Sequence, residues 1–184
     1  MIVGLGHQAQ VGKDTAARFL VERHGFVRLA FADILKEVAY DTNPIVLPAL
    51  VQGHLQDLVD ERGWEAAKEL GETRRLLQEL GLSARWHLGE NVWVQPIFNK
   101  ILDEPDQSFV ISDVRFRNEF DMLKNMDHRH GGGVLMKITR LGSQSKAGTH
   151  QSEIALAGVE WDHVLENNGT MLEFEENLIG VLGL

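Results

Sequence analysis

The segment Gly6-His7-Gln8-Ala9-Gln10-Val11-Gly12-Lys13-Asp14-Thr15 brings together glycines, a lysine, a carboxylate and a hydroxyl, the groups that bind a polyphosphate. Between a buried strand and a helix, the backbone N–H groups of such a loop converge on an anion at the helix N-terminus. Gly6, Gln10, Val11 and Gly12 are the candidate loop residues, and Lys13, expected to be exposed, would reach the β- and γ-phosphates. Asp14 or Thr15 would serve Mg²⁺ or the remaining phosphates. Two details depart from the usual pattern: five residues separate the glycines, which puts His7 where the first glycine normally stands, and Asp14 replaces a Ser or Thr. A plain strand-to-helix turn without a ligand is the competing reading.

Further candidates lie downstream. Asp113 ends the apolar run Ser108–Ser112, where a carboxylate can hold Mg²⁺ through water or cap the following helix. Arg115 and Arg117 follow, and their guanidinium groups suit an acceptor phosphate or a transferring phosphoryl group; a surface salt bridge with Glu119 or Asp121 is the alternative. Asp33 and Lys36 share a helix face, and Asp33 would orient an acceptor phosphate or cap its helix. Arg74 and Gln78, four apart, pair a phosphate fork with an amide able to read a base edge. Arg140 borders a polar loop and would swing over phosphates, and Asn167 would approach adenine or simply make a turn. His128 and His130 are read as an exposed turn, not a metal site, and the four tryptophans as core or wall residues, with Trp86 or Trp93 able to border a base.

The elements that must position these residues alternate. A strand over 1–6, a helix over 13–24 closing on Gly25, a strand over 26–31 and a helix over 33–40 are followed by Leu, Trp, Ala and Val at helical spacing as far as 102. Strands are expected at 108–112, 133–139 and 164–166, and helices at 115–124, 150–157 and 170–182. The alternation predicts a mostly parallel α/β sheet. A chain of 184 residues is expected to form a single domain over 1–184, with a helical insertion over about 34–102 and a lid-like loop over about 140–150. Its 43% hydrophobic content is that of a globular protein, and the net charge of −9 opposes binding of a nucleic-acid polymer without excluding a small phosphorylated ligand. There is no cysteine, and the N-terminal apolar run is too short to span a membrane, so a soluble, cytoplasmic protein is expected.

Four more segments accompany the loop: Phe31-Ala32-Asp33-Ile34-Leu35-Lys36, Arg74-Arg75-Leu76-Leu77-Gln78-Glu79-Leu80-Gly81, Ile111 to Glu119, and His150-Gln151-Ser152-Glu153 with Asn167-Asn168-Gly169-Thr170. In this order, behind Gly12-Lys13-Asp14-Thr15, the set resembles the bacteriophage deoxynucleoside monophosphate kinases over nearly the whole chain. The resemblance implies a three-layer P-loop kinase fold with an acceptor-binding insertion and a short lid, and transfer of the ATP γ-phosphate to a deoxynucleoside monophosphate. Mg²⁺ is implied as cofactor, held by Asp14 and Asp113. Lys13, Asp33, Arg115, Arg117 and Arg140 become the catalytic candidates. Lys36, Arg74, Gln78, Arg85, Glu119 and His150 join Asp33 and Arg115 on the acceptor. Gly81-Leu82-Ser83-Ala84-Arg85 departs from the family, which more often has a Thr-Glu pair and one more residue before the arginine. If phage-encoded, the protein would act in the infected host's cytoplasm. A homodimer stays open, as do two other functions: a P-loop kinase of another small acceptor such as dephospho-coenzyme A, and a non-catalytic ATP-binding module.

Overall fold

A computed structural model describes residues 1–6, 10–46, 53–126, 132–142 and 155–184. Contacts divide the chain into two units, Met1–Phe31 with Ile97–Leu184, and Ala32–Pro96.

The first unit is built on five parallel strands: β1 (Ile2–Gly6), β2 (Val27–Leu29), β3 (Phe109–Val114), β4 (Gly133–Thr139) and β5 (His163–Glu166), in the order β2-β3-β1-β4-β5. All five residues of β1 and all six of β3 are buried, as expected of central strands covered on both faces. Helix α1 (Lys13–His24) contributes Ala16, Ala17 and Leu20 to a core shared with Val3, Leu5, Val110, Met136 and Ile138. From β1 the chain runs toward β2 on one side, and from β3 toward β4 on the other, so the carboxyl ends of β1 and β3 form the switch point where open α/β sheets gather ligands.

Two expected strands have different ends. The second stops at Leu29 instead of running to Phe31, because the Asp113 carboxylate accepts the Phe31 N–H at 2.9 Å and helix α2 (Phe31–Thr42) begins there. The third continues through Asp113 to Val114. Its register against β1 slips: Gly4 pairs with Ile111 but Gly6 with Val114, so β3 carries an extra residue at Ser112 and Asp113. Such a bulge re-aims a side chain without ending the strand.

The second unit is helical. Most of α2 is followed by α3 (Leu55–Ala67), which is broken at Gly63, by α4 (Gly71–Leu88) and by the start of α5 (Val94–Asp103). Ala39, Val46, Leu55, Leu58 and Ala67 form its core, with Trp64, Leu76, Leu77 and Leu80 packed against them.

Back in the first unit, α6 spans Arg117–Lys124, starting two residues later than expected, and α7 spans Met171–Leu182. A helix expected over 150–157 is not found at Ala155–Gly158, which form a turn; 150–154 lie outside the described residues. No described helix is long and apolar enough to cross a membrane.

Candidate functional site

Gly12 precedes α1 with φ 107° and provides no side-chain cap, so the helix's first N–H groups have no side-chain acceptor from that position. Gln10 also has positive φ, at 61°, an uncommon conformation for a residue other than glycine. Lys13 is the first residue of the helix. It is 8% exposed, not the exposed loop residue expected from sequence, because the helix starts at this position and draws its side chain inward.

Burial pushes the Lys13 ammonium down to about 8, with the Arg115 guanidinium adding to the fall and Asp14 and Asp113 opposing it. The four charged groups therefore belong to one electrostatic cluster at the carboxyl ends of β1 and β3. Two cations held close, one of them buried, repel each other beyond what Asp14 and Asp113 offset, and the phosphate oxygens of a polyphosphate are the kind of anion such a cluster suits. Asp113 is not a cap of the helix after its strand, as one reading had it, but an acceptor for the first N–H of α2. One or two carboxylates beside phosphate oxygens suffice for Mg²⁺, so Asp14 and Asp113 fit that ion.

Other expected residues are placed differently. Glu119 is 2% exposed and its Oε2 accepts the backbone N–H groups of Arg115 at 2.7 Å and Phe116 at 2.9 Å. This carboxylate closes the start of α6 instead of facing solvent for a substrate, and it holds the backbone beneath Arg115. Arg117 pairs with both oxygens of Asp121, at 2.8 and 2.9 Å, in the surface salt bridge weighed against a catalytic role. Asn167 directs its Nδ2 to the Val11 carbonyl at 2.9 Å, so its amide is committed to the phosphate loop. Arg140 is exposed just after β4, while His7, His128, His130 and His150 lie outside the described residues, as do 143–150 of the expected lid.

In the helical unit, Asp33 and Lys36 form an ion pair at 2.9 Å and, with Glu37, Tyr40, Asp41 and Trp64, line a cavity of about 540 Å³. Asp33 lies inside the first turn of α2, which excludes the N-cap reading. Arg74 and Gln78 are exposed on α4, whereas neighbouring Arg75 is bound to Glu72 and Glu79. Arg85 donates to the Glu90 carbonyl at 2.9 Å. Of the tryptophans considered for a base, Trp93 is core and donates to the Gly81 carbonyl, and Trp86 is 85% exposed.

Sequence reading missed the bulge, the burial of Lys13 and the role of Asn168, whose Oδ1 accepts the Leu141 N–H at 2.7 Å. Only the Asn-Asn-Gly run, a turn signal, hinted at the last.

A parallel sheet in this strand order, with a lysine buried at a glycine-led helix start, defines a phosphotransferase with the P-loop kinase fold. A dephospho-CoA kinase from Campylobacter jejuni shares the fold, with a TM-score of 0.50 at 13% identity over 99% of this chain and 95% of that one. The chain belongs to the deoxynucleotide monophosphate kinase family, whose model matches residues 51–178. It is 31% identical to an Acanthamoeba polyphaga mimivirus protein that carries the provisional name deoxynucleotide monophosphate kinase, over 97% of this chain and 94% of the viral one.

Proposed function

We propose that the protein transfers the γ-phosphoryl group of ATP to the 5′-phosphate of a deoxynucleoside monophosphate. The observation that carries this reading is the buried Lys13 ammonium at the uncapped start of α1, grouped with Arg115, Asp14 and Asp113. An acceptor phosphate oxygen attacks the γ-phosphorus, the bond to the β–γ bridging oxygen breaks, and ADP leaves with that oxygen. The acceptor oxygen is already ionised at neutral pH, so positioning and charge neutralisation outweigh proton removal.

Lys13 and the N–H groups at the head of α1 bind the β- and γ-phosphates, and Arg115 neutralises charge spread over the transferring group. Arg140 and Arg117 are assigned lesser parts, Arg117 only on release from Asp121. Asp14 and Asp113 are the residues that would hold Mg²⁺, with Thr15 beside them; the ion when bound neutralises charge on the phosphate oxygens. Asp33, Lys36, Arg74 and Gln78 serve the acceptor, Arg74 as the phosphate fork. The protein acts as a soluble cytoplasmic enzyme on small nucleotides and not on a nucleic-acid polymer.

A coupled assay of ADP release, run with each of the deoxynucleoside monophosphates and with dephospho-coenzyme A, tests the reading. Release stimulated by at least one deoxynucleotide and not by dephospho-coenzyme A is expected. A rate indifferent to every deoxynucleotide would remove the proposed acceptor. Arg74→Ala should raise the acceptor KM about tenfold or more while leaving the ATP KM within about twofold, as loss of one charge-assisted contact requires.

A further inference from the structure

The turn between β5 and α7 makes four hydrogen bonds to three parts of the first unit. The Asn167 N–H donates to the Thr139 carbonyl at 2.8 Å, at the end of β4. Its Nδ2 donates to the Val11 carbonyl at 2.9 Å, across 156 residues of sequence. Oδ1 of Asn168 accepts the Leu141 N–H at 2.7 Å, one residue beyond Arg140, and its Nδ2 donates to Glu166 at 3.2 Å. The same Asn167 amide fills the space a Cβ on Gly12 would need.

We propose that Asn167 and Asn168 form a bracket that positions the phosphate loop and the segment after β4 against each other. Asn167 acts through the Val11 carbonyl and Asn168 through the Leu141 N–H; both are positioning residues. The inference rests on the proposed phosphotransfer and differs from an adenine-reading role for Asn167, since one of its two amide hydrogens goes to the loop. Val11 is fully buried and adjoins Gly12, so losing the Asn167 donor leaves a carbonyl unsatisfied next to the helix start that receives the phosphates.

The two asparagines should respond oppositely to the same substitution. Asn167→Asp removes the donor and turns an acceptor toward the Val11 carbonyl, whereas Asn168→Asp keeps the acceptor that Leu141 uses. Inorganic tripolyphosphate and adenosine, each competing with ATP, separate phosphate positioning from base reading. Asn167→Ala and Asn167→Asp are expected to raise the tripolyphosphate Ki about tenfold, the order of one unsatisfied hydrogen bond, with the adenosine Ki within about twofold of the parent. Asn168→Ala should lower kcat about fivefold, and Asn168→Asp in a Glu166→Gln background, which removes the nearby like charge, should restore it. An unchanged tripolyphosphate Ki in the position-167 variants, an adenosine Ki that rises equally, or failure of Asn168→Asp to restore kcat overturns the bracket. Failure of tripolyphosphate to compete with ATP in the unsubstituted protein would instead overturn the phosphate-loop reading, and the bracket with it.

Discussion

Helices α1 and α7 line the same core, through Ala16, Ala17 and Leu20 on one and Phe174, Leu178 and Leu182 on the other. Each ends on a glycine in the left-handed conformation, Gly25 and Gly183. Their beginnings are opposite. The hydroxyl of Thr170 accepts the Glu173 N–H, and the Glu173 carboxylate accepts the Thr170 N–H at 2.7 Å, a complete capping box. Helix α1 starts instead from Gly12 with no side-chain cap and buries Lys13 in its first turn. One start is closed by its own side chains, whereas the other has no side-chain cap and buries a cation whose desolvation costs stability.

Replacing Lys13 should break the contrast most severely. Lys13→Met is expected to lower kcat about 10³-fold or more, since the ammonium neutralises transition-state charge. It should also stabilise the unliganded protein. The folded-state pKa lies near 8 against an ordinary 10.5, so between these values the unfolded chain binds the extra proton and stability rises with pH. Lys13→Met should abolish that rise and raise the melting temperature at pH 7 by about 5 °C, measured calorimetrically. A fall in melting temperature would mean the start of α1 is not strained by its lysine.

Gly12→Ala comes next. A Cβ there meets the Asn167 amide and must adopt φ near 107°, so kcat/KM for ATP should drop about 10²-fold as the loop is displaced. Steady-state kinetics checks this, and near-normal activity would show that the loop does not need the close approach. At the finished start, Thr170→Ala should cost about 1 kcal/mol in denaturant titration and leave kcat within about twofold. The smallest effect belongs to Glu173, whose carboxyl is held below its ordinary value by the Thr170 N–H and then the Thr170 hydroxyl. A depressed carboxylate contributes stability above its unfolded pKa that is lost as pH falls through the folded one. Glu173→Gln should therefore flatten the acid limb of the stability curve slightly, and an unchanged limb would show the box to be irrelevant.

The two starts also differ in how openly the sequence shows them. Thr170 and Glu173 sit at capping-box spacing ahead of a helix whose far end was read at Leu182, where the structure ends it. Lys13 to His24 and Gly133 to Thr139 were likewise readable, because an apolar pattern between glycines marks both. The bulge at Ser112 and Asp113 was hidden inside a run that reads as unbroken strand, since register depends on β1 and not on β3 alone. Glu119 is a substrate ligand only in what the family resemblance implies, and Phe116 at the helix start offers none of the usual capping signal to set against it. Only the fold shows that the buried carboxylate caps backward. The place of Asp113 and Arg115 at and just beyond the end of an apolar strand is legible from local pattern, but the commitment of Asn167 to Val11 spans 156 residues and no local pattern encodes it.

Trp161 stands where the Cβ of any other residue at position 6 would go, and its ring meets Phe120 edge-on with centroids 5.1 Å apart. The chain thus carries an optical probe at the root of its phosphate loop. With Trp64, Trp86 and Trp93 replaced by phenylalanine, emission would come from a single indole touching the last residue of β1. Arrival of a nucleotide could then be timed by stopped-flow fluorescence without attaching a dye.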